Sequence, residues 1–382
     1  MTEAKRRLLA DLERGLAAQG LEGRRRRLTP RTGIDLSSND VFGFAEDPWI
    51  SERVAAAVRH HGTGAGAARL LHGNLPLFEE AEARLAAFSG REAALLFPSG
   101  YMANLGLLAT LLRVGGSWIS DRDNHASLVD GLRLGRQPHG RVGVLDDPES
   151  PCWHLAEAGP APRVAVLESL VSTSGRLPDL AHVCEAAESI DAVVVVDEAH
   201  ATGLYGPGGA GRVALAGLAP RVLATVHTGG KALGVAGAWV AGDRALIDHL
   251  VQHARTFIYT TAPMPALAAG LLAALERLAL LPDAAAEVLA KAERLRGRLR
   301  AEGLVVGGDG THLVPVPLQT EARALAAATA LQAEGFDVRA LRPPTVPVGA
   351  ASLRVVVRRP LAEADLERFA ARLVHHVKAL AT

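Results

Sequence analysis

An acid and an amine, each closing an apolar run, are the residues of this chain best suited to chemistry. Val193-Val194-Val195-Val196 ends on Asp197 and leads into Glu198-Ala199-His200, while Val222-Leu223-Ala224-Thr225-Val226 ends at His227-Thr228-Gly229-Gly230-Lys231. If both runs are strands of an open α/β sheet, Asp197 and Lys231 face each other at the strands' carboxyl ends, where such sheets bind ligands. A lysine attacks a carbonyl only as the neutral amine, so a catalytic Lys231 needs a site that disfavours its charge. Asp197 can pair with a protonated pyridine nitrogen or serve as a structural cap. His125, in Asn124-His125-Ala126-Ser127, can stack on a planar ring or cap a helix. His200 can bond a phenolate oxygen or be a satisfied semi-buried histidine, and Ser172 and Thr228 can reach a ring oxygen and a phosphate, although isolated hydroxyls of this kind are uninformative by themselves. Ser99-Gly100-Tyr101 follows the apolar run Ala93–Phe97 and opens a helical pattern. Free backbone N–H groups and the helix dipole suit such a start to a phosphate. Together these groups provide every contact that pyridoxal 5′-phosphate needs.

The elements that would position them alternate. Short apolar runs at 117–120, 142–145, 164–168, 193–197 and 236–241 are separated by helical patterns, near 121–134 and 180–189 among others. This alternation predicts an α/β fold, a mainly parallel central sheet flanked by helices. Ahead of it, residues 4–19 carry Leu8, Leu9, Leu12 and Leu16 at helical spacing. Arg24-Arg25-Arg26-Arg27 follows, either a solvated basic turn or an anion site, and a short strand is expected around Ile34-Asp35-Leu36. Gly62–Arg69 is read as a loop of close backbone approach, and Gly206–Gly211 as mobile or tightly turned. Leu281-Pro282-Asp283 is the best boundary. The expected organisation is an N-terminal arm and small-domain segment (1–45), a large cofactor-binding domain (46–281) and a smaller C-terminal α+β domain (282–382). In the last, Arg342-Pro343-Pro344-Thr345-Val346-Pro347 is expected to run extended into the strand of Arg354.

Composition narrows the function class. Lys plus Arg and Asp plus Glu both number 41, so net charge gives no argument for nucleic acid or an acidic membrane surface. Cys152 and Cys184 are the only cysteines and lack metal-ligand spacing, which speaks against a disulfide scaffold or zinc site and fits a reducing cytoplasm. No apolar run reaches the roughly 18 residues of a membrane span. A protein without nucleic-acid, metal or membrane partners is expected.

From about Ile34 to the last helix the chain resembles the α-oxoamine synthase family of fold-type I pyridoxal-phosphate enzymes. The resemblance rests on Ser38-Asn39-Asp40, Ser99–Asn104, Asn124–Ser127, Asp197–Gly203, Lys231-Ala232-Leu233-Gly234 and Arg342–Pro347 leading to Leu353-Arg354. It implies that Lys231 holds the cofactor and moves the substrate proton, that Asp197 keeps the pyridine nitrogen protonated, and that His125 stacks on the ring and orients the acyl donor. By the same resemblance Ser172 and His200 contact the ring oxygen and Gly100, Tyr101 and Thr228 lie near the phosphate or the ring. Thr260 or Thr261 reaches a partner subunit's phosphate in a homodimer. Asn39 and Arg354 bind the amino-acid carboxylate, and Arg25 contacts the acyl-carrier side. The proline block points to the biotin-pathway member, which condenses L-alanine with a pimeloyl thioester of coenzyme A or acyl carrier protein. A relative acting on glycine and a shorter acyl group, as in glycine C-acetyltransferase, stays open, as does a cofactor-binding protein without acyltransferase activity. The chain also departs from the family: Ser172-Thr173-Ser174-Gly175-Arg176 stands for the usual Ser-Met-Asp-Gly-Asp.

Overall fold

The computed structural model of the chain describes residues 1–21, 25–26 and 28–380. Among these the strands are, in chain order, β1 (Ile34–Asp35), β2 (Ala93–Phe97), β3 (Ser117–Asp121), β4 (Gly140–Gly143), β5 (Arg163–Glu168), β6 (Ala192–Asp197), β7 (Ala224–Thr228), β8 (Ala238–Gly242), β9 (Leu313–Gln319), β10 (Phe336–Asp337), β11 (Ala340–Leu341) and β12 (Ala351–Val356). The chain divides into two compact units: Asn39–Ala290 with Arg358–Pro360, and Met1–Ser38 with Lys291–Val357 and Leu361–Thr382. The second break falls inside the helix Ala284–Ala301 and not at Leu281-Pro282-Asp283. Ala284 and Val288 are buried in the core of the larger unit, Ala292, Leu295 and Leu299 in that of the smaller.

The larger unit is built on a seven-stranded sheet of order β2-β8-β7-β6-β5-β3-β4. Strands β3 to β7 pair in parallel, and β8 runs antiparallel to both its neighbours. Side chains alternate across the sheet as strand geometry requires. Val164, Val166 and Val195 point into one buried cluster, and Ala165, Leu167, Val194 and Val196 into another. Helices cover both faces, which is why these strands read as nearly unbroken apolar runs. The parallel strands all end on the same side, so Glu168, Asp197 and Thr228 are neighbours at one rim.

Several local expectations change. The fourth strand lies at Gly140–Gly143, two residues before the apolar run that suggested it at 142–145; a Cβ on Gly140 would fall 2.0 Å from the Trp118 ring, so a glycine is what lets this strand lie against its neighbour. The helix expected from Asp121 begins only at Ala126, because Asp121 ends β3. The run beginning at Val222 becomes a strand only at Ala224 and continues through His227 and Thr228. In the Gly62–Arg69 loop a Cβ on Gly62, Gly64 or Gly66 would meet nothing within 4 Å; Gly62 and Gly66 instead serve left-handed turns, with φ of 80° and 75°. Gly206–Gly211 is tightly turned, and a Cβ on Gly211 would sit 2.7 Å from the Glu198 carboxyl carbon.

The smaller unit pairs β1 with β10 in parallel and sets β12 antiparallel between β11 and β9. Its core gathers Leu36, Val314, Val316, Leu353, Val355, Phe336 and Phe369. The proline run is a turn and not an extended approach: the Thr345 N–H donates to Arg342 O at 3.0 Å between β11 and β12. Among the described residues no single helix is long and apolar enough to cross a membrane.

Candidate active site

The rim of the larger sheet brings Asp197, Glu168, Thr228 and Lys231 together with two helix starts. Asp197 ends β6 and is 6% exposed. Its Oδ1 accepts from the Ala199 N–H at 2.8 Å and its Oδ2 from Asn104 Nδ2 at 2.7 Å. Two donors, one on each oxygen, are the pattern of a held carboxylate. Asn104 reaches it from the helix Gly100–Leu111, and the same Nδ2 donates to Ser127 Oγ at 2.9 Å. That hydroxyl lies 2.8 Å from His125 Nδ1, which also accepts from the Ser127 N–H at 3.2 Å. Nδ1 is therefore the acceptor nitrogen and Nε2 carries the proton. Burial, followed by the charge of Lys231, lowers the His125 pKa against the weaker opposing pull of Asp197. His125 is thus a neutral ring at the start of the helix Ala126–Leu134, fixed through Ser127 and Asn104 to the carboxylate of Asp197.

The helix expected to open at Gly100 does so. Ser99 caps the helix Gly100–Leu111, its Oγ accepting from the Met102 N–H at 3.3 Å. The first intrahelical bond is Ala103 N–H to Ser99 O, so Gly100 and Tyr101 precede the bonded turn. A Cβ on Gly100 would lie 3.7 Å from Thr228 Cβ, which sets the helix start against the end of β7. Thr228 Oγ1 donates to Gly237 O at 3.1 Å and accepts from the Gly230 N–H at 3.2 Å, shaping the turn before Lys231. Lys231 is half-buried just beyond it, its carbonyl accepting from the Gly234 N–H at 2.9 Å. Tyr101 is 41% exposed and its hydroxyl donates to Asp130 Oδ2. Ser172 and His200 are buried in the loops after β5 and β6. Thr260 is half-buried and Thr261 exposed beyond the short helix Arg255–Ile258. Asn39 is half-buried beside Asp40, whose carboxylate accepts from the Phe44 and Ala45 N–H groups at 2.8 and 3.2 Å.

In the smaller unit, Arg354 is half-buried in the middle of β12, in register with Pro315 of β9. Arg25 is exposed, and its carbonyl accepts from Arg342 Nη2 at 3.3 Å. Arg26 donates to Thr345 Oγ1 at 3.1 Å, so this segment lies on the proline turn. Arg24 and Arg27 fall outside the described residues.

Four residues of the rim carry weight that the sequence reading did not assign. Asn104 orients Asp197. Asn124 ties β3 to β5, its Nδ2 donating to Ser120 Oγ and Val166 O at 2.9 and 2.8 Å and its Oδ1 accepting from the Glu168 N–H at 3.1 Å. Glu168 is the register partner of Asp197, and its Oε2 accepts from the Ser172 N–H at 3.0 Å. Glu198 is buried under the next loop and accepts from Ser169 Oγ at 2.6 Å and from the Arg212 and Val213 N–H groups at 3.1 and 2.6 Å. An acid at the end of the strand beside Asp197 was the available signal for Glu168; the other three act through partners distant in sequence. Arg176, where the family has an acid, donates to Asp121 at 2.8 Å and to Asp146, and lies 3.6 Å from Asp123.

The donor set suits a planar, phosphorylated pyridine: a carboxylate with fixed orientation at one pole, an amine at the other, a neutral imidazole between helix and sheet, and a glycine-opened helix start for an anion. No group of three or more His, Cys, Asp or Glu among the described residues is placed to hold a metal.

Comparison with known proteins agrees. Residues 31–373 match the family model of the class I and II aminotransferases. The chain is 43% identical to the 8-amino-7-oxononanoate synthase of Anaeromyxobacter dehalogenans strain 2CP-1, over 90% of this chain and 86% of the relative. It is 40% identical to that of Azoarcus sp. strain BH72, over 96% of each. Among solved structures, serine palmitoyltransferase from S. paucimobilis with a bound PLP–myriocin aldimine superposes with a TM-score of 0.85 at 28% identity, over 91% of this chain and 88% of that one. The Francisella tularensis 8-amino-7-oxononanoate synthase, 24% identical, shares the fold at a TM-score of 0.78 over 92% and 99%. With the match running from the first strand to the last helix, the chain belongs to the class I and II aminotransferase family and, within it, to the family of 8-amino-7-oxononanoate synthases.

Proposed function

We propose that this protein condenses L-alanine with a pimeloyl thioester, releasing carbon dioxide and free thiol and forming 8-amino-7-oxononanoate, a step of biotin biosynthesis, with pyridoxal 5′-phosphate as cofactor. The observation that carries the reading is the rim of the larger sheet, where Asp197 ends β6 and Lys231 follows the turn after the neighbouring β7, beside the helix start at Gly100. When bound, pyridoxal phosphate supplies a conjugated pyridinium into which the electron pair left at alanine Cα is delocalised.

The residues divide the remaining work. Lys231 Nζ would hold the cofactor at its aldehyde carbon, and as the free amine it would remove the alanine Cα proton and later return it. Asp197, gripped by Asn104 and Ala199, stabilises the proton on the ring nitrogen. His125 offers a neutral ring face and an Nε2–H toward the acyl donor. Ser172 and His200 contact the ring oxygen. Gly100 and Tyr101 N–H groups with Thr228 receive the phosphate, and Thr260 or Thr261 reaches that of a partner subunit in a homodimer. Asn39 and Arg354 bind the alanine carboxylate, for which a guanidinium is suited because it can donate twice in one plane. Arg25 contacts the carrier of the acyl group, coenzyme A or an acyl carrier protein.

The test is thiol and carbon dioxide release by purified protein given L-alanine and pimeloyl groups on each carrier. Lys231→Ala is expected to abolish release, and near-parental turnover by that variant would refute the scheme. Glycine with an acetyl thioester, run in competition, tests the relative that acts on smaller substrates.

A further inference from the structure

Two carboxyl groups share the rim, and the geometry points to a division between them: Glu168 sits in the site as the neutral acid, donating its Oε1 proton to the phenolic oxygen of the bound cofactor, while Asp197 is the anion. The inference rests on pyridoxal phosphate being the ligand, as proposed above. Glu168 and Asp197 end the adjacent parallel strands β5 and β6 as register partners and are 3% and 6% exposed. Two negative charges side by side and away from water are not both retained; one group keeps a proton.

Their hydrogen bonds decide which. Asp197 receives a donor on each oxygen, Ala199 N–H and Asn104 Nδ2. Glu168 receives both its donors, the N–H and the hydroxyl, from Ser172, while Oε1 is buried and has no hydrogen-bond partner among the described residues. An ionised Oε1 there would be a bare charge, whereas a protonated one is a donor waiting for an acceptor. The charged and titratable groups that act on it are Asp197 on β6 and Lys231 beyond β7, with Ser172 from its own loop. Burial first, then Asp197, raise Glu168 to about 7 against the opposing pull of Lys231 and of the two Ser172 hydrogen bonds. Ser172, which Glu168 holds, is the residue read as contacting the ring oxygen, so the waiting donor lies on that side of the ring.

The experiment reads cofactor binding and not turnover. The parent protein, Glu168→Gln and Glu168→Leu are stripped of cofactor, and the dissociation constant for pyridoxal phosphate is measured from its visible absorbance from about pH 6 to about pH 9, a window set by the raised Glu168 pKa. Glutamine is neutral throughout, keeps an acceptor for the Ser172 N–H and keeps a donor. Glu168→Gln is expected to bind within about 3-fold of the parent at the acid end, and Glu168→Leu about 10-fold more weakly, the worth of a lost buried hydrogen bond. Toward the alkaline end the parent weakens as Glu168 loses its proton, by about 5-fold more than Glu168→Gln. Infrared spectra of the parent, needing no variant, should show a protonated buried carboxyl at the acid end that fades with rising pH. The inference is overturned if Glu168→Gln is as weak as Glu168→Leu, if Glu168→Leu binds like the parent, if parent and Glu168→Gln share one pH profile, or if the infrared band is absent. Failure of the parent to bind pyridoxal phosphate at all would instead sink the functional reading.

Discussion

Replacing Asn104 with alanine separates holding the fold from holding the cofactor. Asn104 Nδ2 gives one bond to the Asp197 carboxylate at 2.7 Å and one to Ser127 Oγ at 2.9 Å, while its Oδ1 is buried without a hydrogen-bond partner among the described residues. A hydrogen bond to a charged group contributes about 1.5–3 kcal/mol and a neutral one about 0.5–1.5 kcal/mol, whereas an unpartnered buried oxygen costs about 1–3 kcal/mol. Alanine removes both the bonds and the unpartnered oxygen. Unfolding free energy should therefore fall by only about 1–2 kcal/mol. Cofactor affinity falls as well, since Asp197 loses one of the two donors that fix its orientation and its link to the Ser127–His125 pair is cut. A loss of about 1.4 kcal/mol or more, tenfold in dissociation constant, is expected. Urea denaturation of the cofactor-free protein and absorbance titration with pyridoxal phosphate give the two numbers separately. Binding within twofold of the parent, in a protein of parental fold, would refute the claim that Asn104 sets the orientation of Asp197.

Further outcomes follow from other parts of the larger unit and from the smaller one. Burial, with a contribution from Arg91, lowers His227 to about 3, and its nitrogens contact Thr202 and Thr225 hydroxyls at 2.9 Å. Since the unfolded histidine takes a proton near 6.5 and the folded one does not until about 3, stability is full above 6.5 and falls with pH through that window. His227→Gln should flatten the decline measured by denaturation at several pH values by about 1.4 kcal/mol per pH unit. Gly211→Ala, with φ of +107° and a Cβ 2.7 Å from the Glu198 carboxyl carbon, should lower unfolding free energy by about 1–3 kcal/mol, read by the same assay. Arg354→Gln should raise the KM for alanine by about 30- to 100-fold, with a smaller fall in kcat, if its guanidinium grips the carboxylate.

Much of the sheet could be read from the chain because its strands are buried on both faces and appear as valine-rich runs. The misplaced fourth strand shows the limit: Gly140 and Gly143 look like breakers, and only the Trp118 ring lying against the first explains why a glycine belongs there. The short helix Arg244–His253 escaped because charged and histidine residues punctuate its apolar stripe of Leu246, Ile247 and Leu250. At the site, Asp197 and Lys231 were legible since both stand at the ends of apolar runs. Asn104 was not, because its meaning lies in a hydrogen bond to a residue 93 positions away. Glu168 stood in view at the end of its run, yet its relation to Asp197 required the register of β5 on β6.

Arg176 has a bearing on how this enzyme can be altered. Its guanidinium answers Asp121, Asp123 and Asp146 at once, in the loop that also carries Ser172. Restoring the family's acid there by a single exchange would set a fourth carboxyl beside Asp121, Asp123 and Asp146 and remove the guanidinium they share, leaving Arg122 beside Asp123. The loop after β5 and the segment bearing Asp146 thus form one transplantable module. A chimera that borrows the loop from a relative must bring that segment along, or the graft will strain the very turn that presents Ser172.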